Sequence, residues 1–146
     1  MERARDLLKK KTKIVYSISP SATVFDALKI MGEKQVGALV VRDENDQVVG
    51  IISERDYARK VVLNGKSTHG TLVKEIMTPA DHVYSVTPDT TVRECYTLME
   101  NKHIRHVPVF ENGKYVGLIS IGDVVRCTLS ANELYIDQLS HFIAGK

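Results

Sequence analysis

The chain has 146 residues, about one domain's worth, and carries a formal net charge of only +2. With 43% hydrophobic and 26% charged residues, it has an ordinary globular composition and enough length to bury a core. No apolar run approaches the roughly 20 residues that a membrane-spanning helix needs. The cysteines, Cys95 and Cys127, are too few for a disulfide framework and favour a reducing compartment. We therefore expect a cytoplasmic protein without a membrane partner.

Residues 1–15 begin with MERARDLLKKKTK and are expected to form a lead-in helix. This start contains acidic residues and lacks the apolar stretch and cleavage site of a secretory signal. Its basic run comprises Lys9, Lys10, Lys11 and Lys13, but no aromatic residue interleaves with the run and no nucleic-acid motif follows. We interpret the run as a solvated helix end and expect no nucleic-acid partner.

Residues 16–63 have the pattern of a strand, a helix, two strands and a helix. YSIS, ended by a proline, predicts a short strand, and TVFDALKIM places apolar residues on one helix face. These residues are Val24, Ala27, Leu28 and Met31. GALVV and VVGIIS then predict a hairpin, and ERDYARKVV predicts a short closing helix. The linker that follows, residues 64–81, contains LVKEIM, which predicts one or two helical turns.

Residues 82–129 repeat this pattern. Residues between 16 and 41 recur 68 positions later, and residues of the closing hairpin and helix recur 67 positions later, after a one-residue deletion in the turn. The later set is Val49/Val116, Gly50/Gly117, Ile52/Ile119, Ser53/Ser120, Asp56/Asp123 and Arg59/Arg126. Asn112 and Gly113, between two β-prone runs, predict a tight hairpin turn.

Residues 130–146 carry apolar residues at helical spacing and have no counterpart after the first repeat. They are Leu134, Ile136, Leu139, Phe142 and Ile143. We expect an amphipathic C-terminal helix that either packs across the two repeats or meets a second copy. A repeat of about 45 residues cannot bury both faces of its small sheet alone. The sequence therefore predicts an α/β (α+β) fold of two β-α-β-β-α repeats, packed as a pseudo-twofold pair, plus this helix.

The repeat, the endings GIISERD and GLISIGD and the strand IRHVPV resemble a tandem pair of CBS domains, named for cystathionine β-synthase. The likeness covers about residues 16–129 and extends to small bacterial signalling proteins. It implies a disc-shaped pair, often a homodimer, with clefts for adenosyl ligands. AMP is the ligand we expect first, and ATP, ADP, NAD and S-adenosylmethionine are the others. It also implies a regulatory protein that senses such a ligand and acts on an unidentified partner protein, rather than a catalyst.

Each repeat passes from its last strand into a helix through Ser-x-x-Asp, with Ser53 and Asp56 in one and Ser120 and Asp123 in the other. One interpretation is a capping box, worth about 1 kcal/mol per cap. The other is a ligand site, because a carboxylate at such a corner can accept ribose hydroxyls while the serine and helix N–H groups meet phosphate. One carboxylate cannot fully do both, and the repetition favours a ligand for at least one. A glycine precedes each corner and admits close backbone approach.

The resemblance implies that the basic pair Arg105 and His106 contacts phosphate in the cleft whose ribose aspartate is Asp56, with Arg55 beside it. For Arg105 the alternative is a solvated strand end. The cleft that holds Asp123 would instead meet small or uncharged residues. These are Gly37 and Ala38, together with Ile121 and Gly122. The Asp56 cleft is therefore expected to prefer phosphorylated nucleotides, and the Asp123 cleft a less charged adenosyl group or none.

The other candidate residues have a structural interpretation beside the functional one. Ile18 and Val86, on the opening strands, would flank the adenine or belong to the core. Cys95 falls on the apolar helix face and is expected to be a core thiol. His103 and His106 have no cysteine or carboxylate at ligand spacing, so no metal site is expected. No Ser-His-Asp order, glycine-rich phosphate loop or catalytic carboxylate pair occurs, so no enzyme activity is expected.

Two classes of function remain open. The first is a regulatory module that binds an adenosyl nucleotide between the repeats and transmits a conformational change to a partner. The second is a ligand-independent dimerisation or protein-interaction module with vestigial clefts and an active C-terminal helix. Acidic and basic residues at complementary positions, Asp56 with Arg105 and His106, favour the first class.

Overall fold

The computed structural model describes residues 2–11 and 16–129, and the predicted C-terminal helix over residues 130–146 lies outside them. The chain divides into two compact units. The N-terminal unit is Lys13–Tyr84, and the C-terminal unit combines Met1–Thr12 with Ser85–Lys146. The lead-in segment therefore belongs to the unit of the second repeat, whereas the linker belongs to the unit of the first.

Each repeat contains the helix, hairpin and closing helix that its sequence predicts. The helices are α1 (Ala4–Lys10), α2 (Val24–Lys34), α3 (Glu54–Tyr57, continued by a π-helical turn over Ala58–Val62), α4 (Val73–Ile76), α5 (Val92–Lys102) and α6 over residues 121–129. The strands are β1 (Ser17–Ile18), β2 (Ala38–Arg42), β3 (Val48–Ser53), β4 (Thr78–Pro79), β5 (His106–Glu111) and β6 (Lys114–Ser120). The fold is mixed α+β, as predicted.

The apolar faces of α2 and α5 are buried, as their spacing predicts. The buried residues are Val24, Ala27 and Met31 on α2, and Val92, Cys95 and Met99 on α5. Each helix begins at a threonine cap, because the hydroxyls of Thr23 and Thr91 accept 3.1 Å hydrogen bonds from the amides three residues further on. Burial raises the pKa of the Cys95 thiol to about 11, so this cysteine is an unreactive core residue, as predicted.

The opening strand is complete in one repeat and reduced to a single bridge in the other. β1 pairs in parallel with β2, where the Val40 amide donates a 3.2 Å hydrogen bond to the Tyr16 carbonyl. The residue 68 positions after Val40 is Pro108, which has no N–H to donate. Val86 alone forms a parallel bridge there, with Val109. The short opening strand predicted for the second repeat is therefore reduced to this single bridge.

The hairpins of both repeats form as predicted. β5 and β6 pair antiparallel and are joined by Asn112 and Gly113, whose φ angles are 51° and 81°, as a tight Asn-Gly turn requires. β2 and β3 also pair antiparallel. In their turn, the Asp43 carboxylate accepts amide hydrogen bonds of 2.9 and 3.0 Å from Asn45 and Gln47.

The short helix that precedes each repeat packs on the other repeat. α1 precedes the first repeat, but its Ala4 and Leu7 lie in the hydrophobic core of the C-terminal unit. α4 precedes the second repeat, and its Val73 and Ile76 lie in the core of the N-terminal unit. We call residues 3–11, which contain α1, and residues 72–79, which contain α4, the exchanged segments. The linker is thus partly a core element of the repeat that it follows.

The two exchanged segments attach in the same way. Arg3 forms an antiparallel bridge with Thr91, and Leu72 forms one with Thr23. The amides of Arg3 and Leu72 also donate to the carboxylate three residues further on, at 2.8 and 2.7 Å. Both helices therefore start beside the threonine cap of the repeat's main helix, with equivalent hydrogen bonds.

The glycine that precedes each corner makes room for the exchanged segment. A Cβ at Gly50 would lie 2.6 Å from the carbonyl oxygen of Thr78 and 2.8 Å from Sδ of Met77. A Cβ at Gly117 would lie 2.6 Å from Cδ2 of Leu8. The close approach expected at these glycines therefore occurs, and the exchanged segments make it.

We predict that Gly50→Ala destabilises the protein more than Gly117→Ala does. The carbonyl of Thr78 is held in β4, whereas the end of the Leu8 side chain can turn aside, so we expect losses of about 2 and about 1 kcal/mol in the free energy of unfolding. Urea denaturation measures both. The matched control is Gly32→Ala in α2, where nothing lies within 4 Å of the new Cβ, and a gain of about 0.5–1 kcal/mol is expected. A loss at Gly50 no larger than the loss at Gly117 would contradict this account.

Candidate functional site

In both repeats a strand runs directly into a helix at a corner of the unit. β3 passes into α3, and β6 passes into α6. Each corner is tied to the start of the neighbouring strand, because the Glu54 amide donates to the Gly37 carbonyl at 3.1 Å and the Ile121 amide donates to the Arg105 carbonyl at 2.8 Å. The backbone of Arg105 therefore lies beside the corner that carries Ser120 in its own unit.

The Asp56 carboxylate caps α3 with one of its oxygens. Oδ2 accepts hydrogen bonds from the Ser53 amide at 2.9 Å and the Ser53 hydroxyl at 3.1 Å, and the Asp56 amide donates to that hydroxyl at 3.3 Å. This is the capping box that the sequence offers as one interpretation. Oδ1 takes no part in the cap and lies 3.0 Å from Nζ of Lys60, while the side chain is 14% exposed.

The Asp123 carboxylate repeats this arrangement with one more cation. Oδ2 accepts a 2.8 Å hydrogen bond from the Ser120 amide and lies 3.0 Å from Nζ of Lys11, and Oδ1 accepts a 2.7 Å hydrogen bond from Nη2 of Arg126. Burial alone would raise the pKa of this carboxyl, but the Ser120 amide and the Lys11 ammonium outweigh burial and hold the pKa below its ordinary value. Asp123 is therefore ionised at neutral pH.

The two oxygens of each aspartate have separate partners. Oδ2 accepts the cap hydrogen bond in both repeats, and Oδ1 contacts a side-chain cation. A carboxylate offers about four lone-pair positions. In the part of the chain that the structure describes, Oδ1 of each aspartate contacts one cation, so this oxygen can accept a further hydrogen bond. The cap therefore takes one oxygen and leaves the other, so capping and ligand binding are compatible.

Each aspartate is also linked to a backbone carbonyl through a lysine. Nζ of Lys60 donates to the Ile76 carbonyl at 2.8 Å, and Nζ of Lys11 donates to the Leu118 carbonyl at 2.6 Å. In the N-terminal unit the exchanged segment supplies the carbonyl of this hydrogen bond, at Ile76. In the C-terminal unit the exchanged segment supplies the lysine, Lys11. Both lysines thus connect the carboxylate with the exchanged helix of the unit.

The sequence analysis missed both lysines. Lys60 follows Asp56 by four residues, a spacing that brings side chains together on a helix and could have revealed it. No spacing signal pairs Lys11 with Asp123, because the exchange of segments brings them together. The expectation of a solvated basic run is therefore wrong at Lys11, whose side chain is 24% exposed, although it holds for Lys10, which is exposed.

Only one member of the predicted basic pair is charged at neutral pH. The side chain of Arg105 is exposed, whereas His106 lies in β5 opposite Ser120 and is half-buried. Burial and then the Lys11 ammonium lower the pKa of His106 to about 4, with Arg105 acting in the same direction and Asp123 against it. At pH 7, His106 can donate or accept a hydrogen bond, but it does not neutralise a phosphate.

The remaining predicted ligand residues lie in or near the cores. Ile18 and Val86 are 8% and 7% exposed and pack in the cores of their own units. Both residues are therefore core residues, as one of the two interpretations predicted, and their contact with adenine stays a prediction. Ala38 is buried in β2. The half-buried residues are Gly37, Arg55 and Ile121.

Within residues 2–11 and 16–129, no helix is long and apolar enough to cross a membrane. The same part of the chain has no group of three or more His, Cys, Asp and Glu residues that could hold a metal ion. Of the two histidines weighed as ligands, His103 ends α5 with a φ of 55° and His106 belongs to β5.

Known proteins match this chain along most of its length. The CBS domain family matches residues 4–63 and 73–130. A mitochondrial CBS domain-containing protein of Arabidopsis thaliana is 42% identical over 125 residues, which are 84% of this chain and 61% of that protein. The chain thus spans less than two thirds of that plant relative.

Solved structures of CBS-domain proteins share the fold. A candidate signal-transduction protein with CBS domains from Burkholderia ambifaria is 43% identical, with a TM-score of 0.82 over 88% of this chain and 94% of that one. A hexameric CBS-CP12 protein from bloom-forming cyanobacteria is 32% identical, with a TM-score of 0.73 over 86% of this chain and 70% of that one.

We predict that His106 makes the protein less stable as the pH falls from about 6.5 to about 4. The unfolded chain binds a proton on this histidine near pH 6.5, whereas the folded chain resists it until its pKa of about 4. Between pH 7.5 and pH 4.5, urea denaturation should therefore show about 2 kcal/mol more loss for the unaltered chain than for His106→Gln. His82→Gln, at an exposed position, is the control. Identical pH slopes for His106→Gln and the unaltered chain would refute the prediction.

Proposed function

Because this chain belongs to the CBS-domain family, whose two matches cover most of it, we propose that it is a regulatory module that binds an adenosyl nucleotide and signals to a partner protein. AMP is the first ligand of this proposal, and ATP, ADP, NAD and S-adenosylmethionine are the others. The module changes its partner through binding, and no residue is assigned a catalytic step. A ligand of this kind shifts a conformational equilibrium only by its difference in affinity for the two states.

The observation that carries the proposal is the accepting capacity of Oδ1 of Asp56. The cap occupies Oδ2, so Oδ1 retains a lone pair at a half-buried strand-to-helix corner. Hydrogen bonds to a carboxylate are roughly twice as strong as those between neutral groups. A ribose hydroxyl is a donor of suitable size for this oxygen, and Lys60 keeps the carboxylate in one orientation.

Phosphate recognition is the less direct part of the proposal. Arg105 is exposed and charged, which suits a contact with a phosphate group. Arg55 stands in the first turn of α3, next to Asp56 in the chain. His106 is neutral at pH 7 and would add a hydrogen bond without a charge. We therefore assign the charge recognition to Arg105 and Arg55.

We also propose that the protein works as a homodimer in the cytoplasm. Support for self-association comes from the cyanobacterial CBS-CP12 relative, which is hexameric. The partner protein that the module regulates is a further part of the proposal. It follows from the sensor function rather than from any residue of this chain.

A ligand-independent interaction module is the second candidate, because apolar side chains are exposed near the ends of the closing helices. Val62 and Leu129, which lie 67 positions apart, are 55% and 54% exposed, and Leu63 is 77% exposed. Exposed apolar residues that recur at equivalent positions suit a contact with another protein. Under this candidate the capping boxes are purely structural, and the oligomeric state is independent of ligand.

We predict a thermal shift with at least one of AMP, ATP, NAD and S-adenosylmethionine. A ligand at about a hundred times its Kd stabilises the folded chain by about 2.7 kcal/mol, which raises Tm by roughly 5–10 °C. Asp56→Asn should weaken binding of that ligand by at least about tenfold, because an amide NH2 group, which cannot accept a hydrogen bond, takes the place of Oδ1. The asparagine oxygen still accepts the Ser53 amide, so the cap survives.

Two further variants separate binding from capping. Ser53→Ala removes the cap hydroxyl, which bonds to Asp56 in this structure rather than standing free for the phosphate contact expected from the sequence. We therefore expect a loss of about 1 kcal/mol in stability with the ligand shift intact. Glu54→Gln changes the neighbouring exposed acid and should leave both stability and binding unchanged. If no adenosyl compound shifts Tm and light scattering gives the same oligomer with and without each of them, the interaction module replaces the sensor.

A further inference from the structure

We propose that Lys11 and Arg126 form an anion subsite beside Asp123, so that the adenosyl ligand bound at this second aspartate is a phosphorylated one. This inference rests on the proposed function and extends it to the C-terminal unit. It reverses the expectation from the family resemblance, which gave this corner small and uncharged neighbours. Neither cation belongs to the residues that the resemblance assigns to phosphate.

Lys11 has a donor left for a ligand. An ammonium group carries three N–H donors. Two of them are used by Oδ2 of Asp123 at 3.0 Å and by the Leu118 carbonyl at 2.6 Å. Among the residues that the structure describes, nothing accepts the third. These two contacts also fix the ammonium in place, so a phosphate that binds it costs little side-chain entropy.

Arg126 contributes a second cation with most of its donors available. Nη2 donates to Oδ1 of Asp123 at 2.7 Å, and the side chain is 71% exposed. A guanidinium has five N–H donors in a planar fork, so it can hold the carboxylate and a phosphate oxygen together. Gly122 makes room for it, because a Cβ there would lie 3.3 Å from Nη1 of Arg126. The first repeat has Arg55 at the position of this glycine.

The Asp123 corner retains a net positive charge. Within the described ranges of the chain, two cations contact the carboxylate of Asp123 within 3.0 Å, whereas one cation contacts that of Asp56. Water screens a half-buried charge such as that of Lys11 less than one on the open surface. An excess of positive charge in such a place attracts an anion. A phosphate group would balance the positive charge of Lys11 and Arg126 that the single carboxylate of Asp123 does not compensate.

The lowered pKa of His106, whose first cause is burial, agrees with this excess of positive charge. His106 lies opposite Ser120 in the β5–β6 ladder of the same unit. After burial, the Lys11 ammonium is the largest influence that lowers the pKa of this histidine, and Arg105 adds to it, while the Asp123 carboxylate acts against them. The cations therefore outweigh the carboxylate at His106 as well.

Isothermal titration calorimetry with adenosine and AMP separates recognition of the sugar from recognition of the phosphate. The experiment uses the full chain with Asp56→Asn, which keeps the Asp123 corner intact. We expect this protein to bind AMP at least about tenfold more tightly than adenosine. Addition of Lys11→Met should abolish most of this preference and change the Kd for adenosine by less than about threefold. Lys10→Met, an exposed lysine that pairs with Glu2, is the matched control and should keep the preference.

Each other result overturns the inference in an identifiable way. Equal losses of adenosine and AMP affinity in Lys11→Met would mean that Lys11 merely positions Asp123. Loss of all binding on Asp56→Asn would show that the second aspartate holds no ligand, while the proposed function would stand for Asp56. No binding of either compound to the unaltered chain would overturn both. If Lys11→Met does not fold, an unchanged AMP preference in Arg126→Met overturns the inference.

Discussion

The hydrophobic core of each repeat is completed by the short helix that precedes the other repeat. α1 supplies Ala4 and Leu7, and α4 supplies Val73 and Ile76, all at most 3% exposed. Burial of a leucine, valine or isoleucine side chain stabilises a fold by about 1.5–3 kcal/mol. The glycine before each corner and the lysine at each aspartate both follow from this exchange, because the glycine makes room for the exchanged segment and the lysine binds it to the carboxylate.

The geometry of the aspartates makes helix capping compatible with ligand binding. In a capping box the acid normally turns its carboxylate back to the cap, and Glu or Gln is the usual residue. Asp56 and Asp123 make this contact with Oδ2 alone, and Oδ1 meets a cation in both repeats. One side chain therefore ends the strand, begins the helix and keeps an acceptor at the corner.

Local sequence patterns were sufficient to predict the helices of the described residues and the hairpins, and to offer the capping boxes as one interpretation, because neighbours in the chain determine these features. The Asn112–Gly113 turn is an example, since its positive φ angles follow from the two residue types. Contacts between distant segments could not be predicted in this way. The opening strand of the second repeat is reduced to a bridge beside Pro108, and the local pattern does not show that this proline lies next to the opening residues. The contact between Lys11 and Asp123 arises because α1 packs in the unit of the second repeat. The neutral state of His106 depends on burial, which spacing does not reveal.

In both units a lysine links the aspartate carboxylate with the exchanged segment, but the lysine belongs to the repeat in one unit and to the exchanged segment in the other. Lys60 belongs to the repeat and extends to the exchanged segment at Ile76, whereas Lys11 belongs to the exchanged segment and extends to the repeat at Leu118. The residue 67 positions after Lys60 is a cysteine, so the likeness of geometry is not inherited from likeness of sequence. A helix cap needs only the serine and the acid. The added cation therefore goes beyond the needs of the cap, and it ties the carboxylate to the backbone of the exchanged segment at Ile76 in one unit and to β6 at Leu118 in the other.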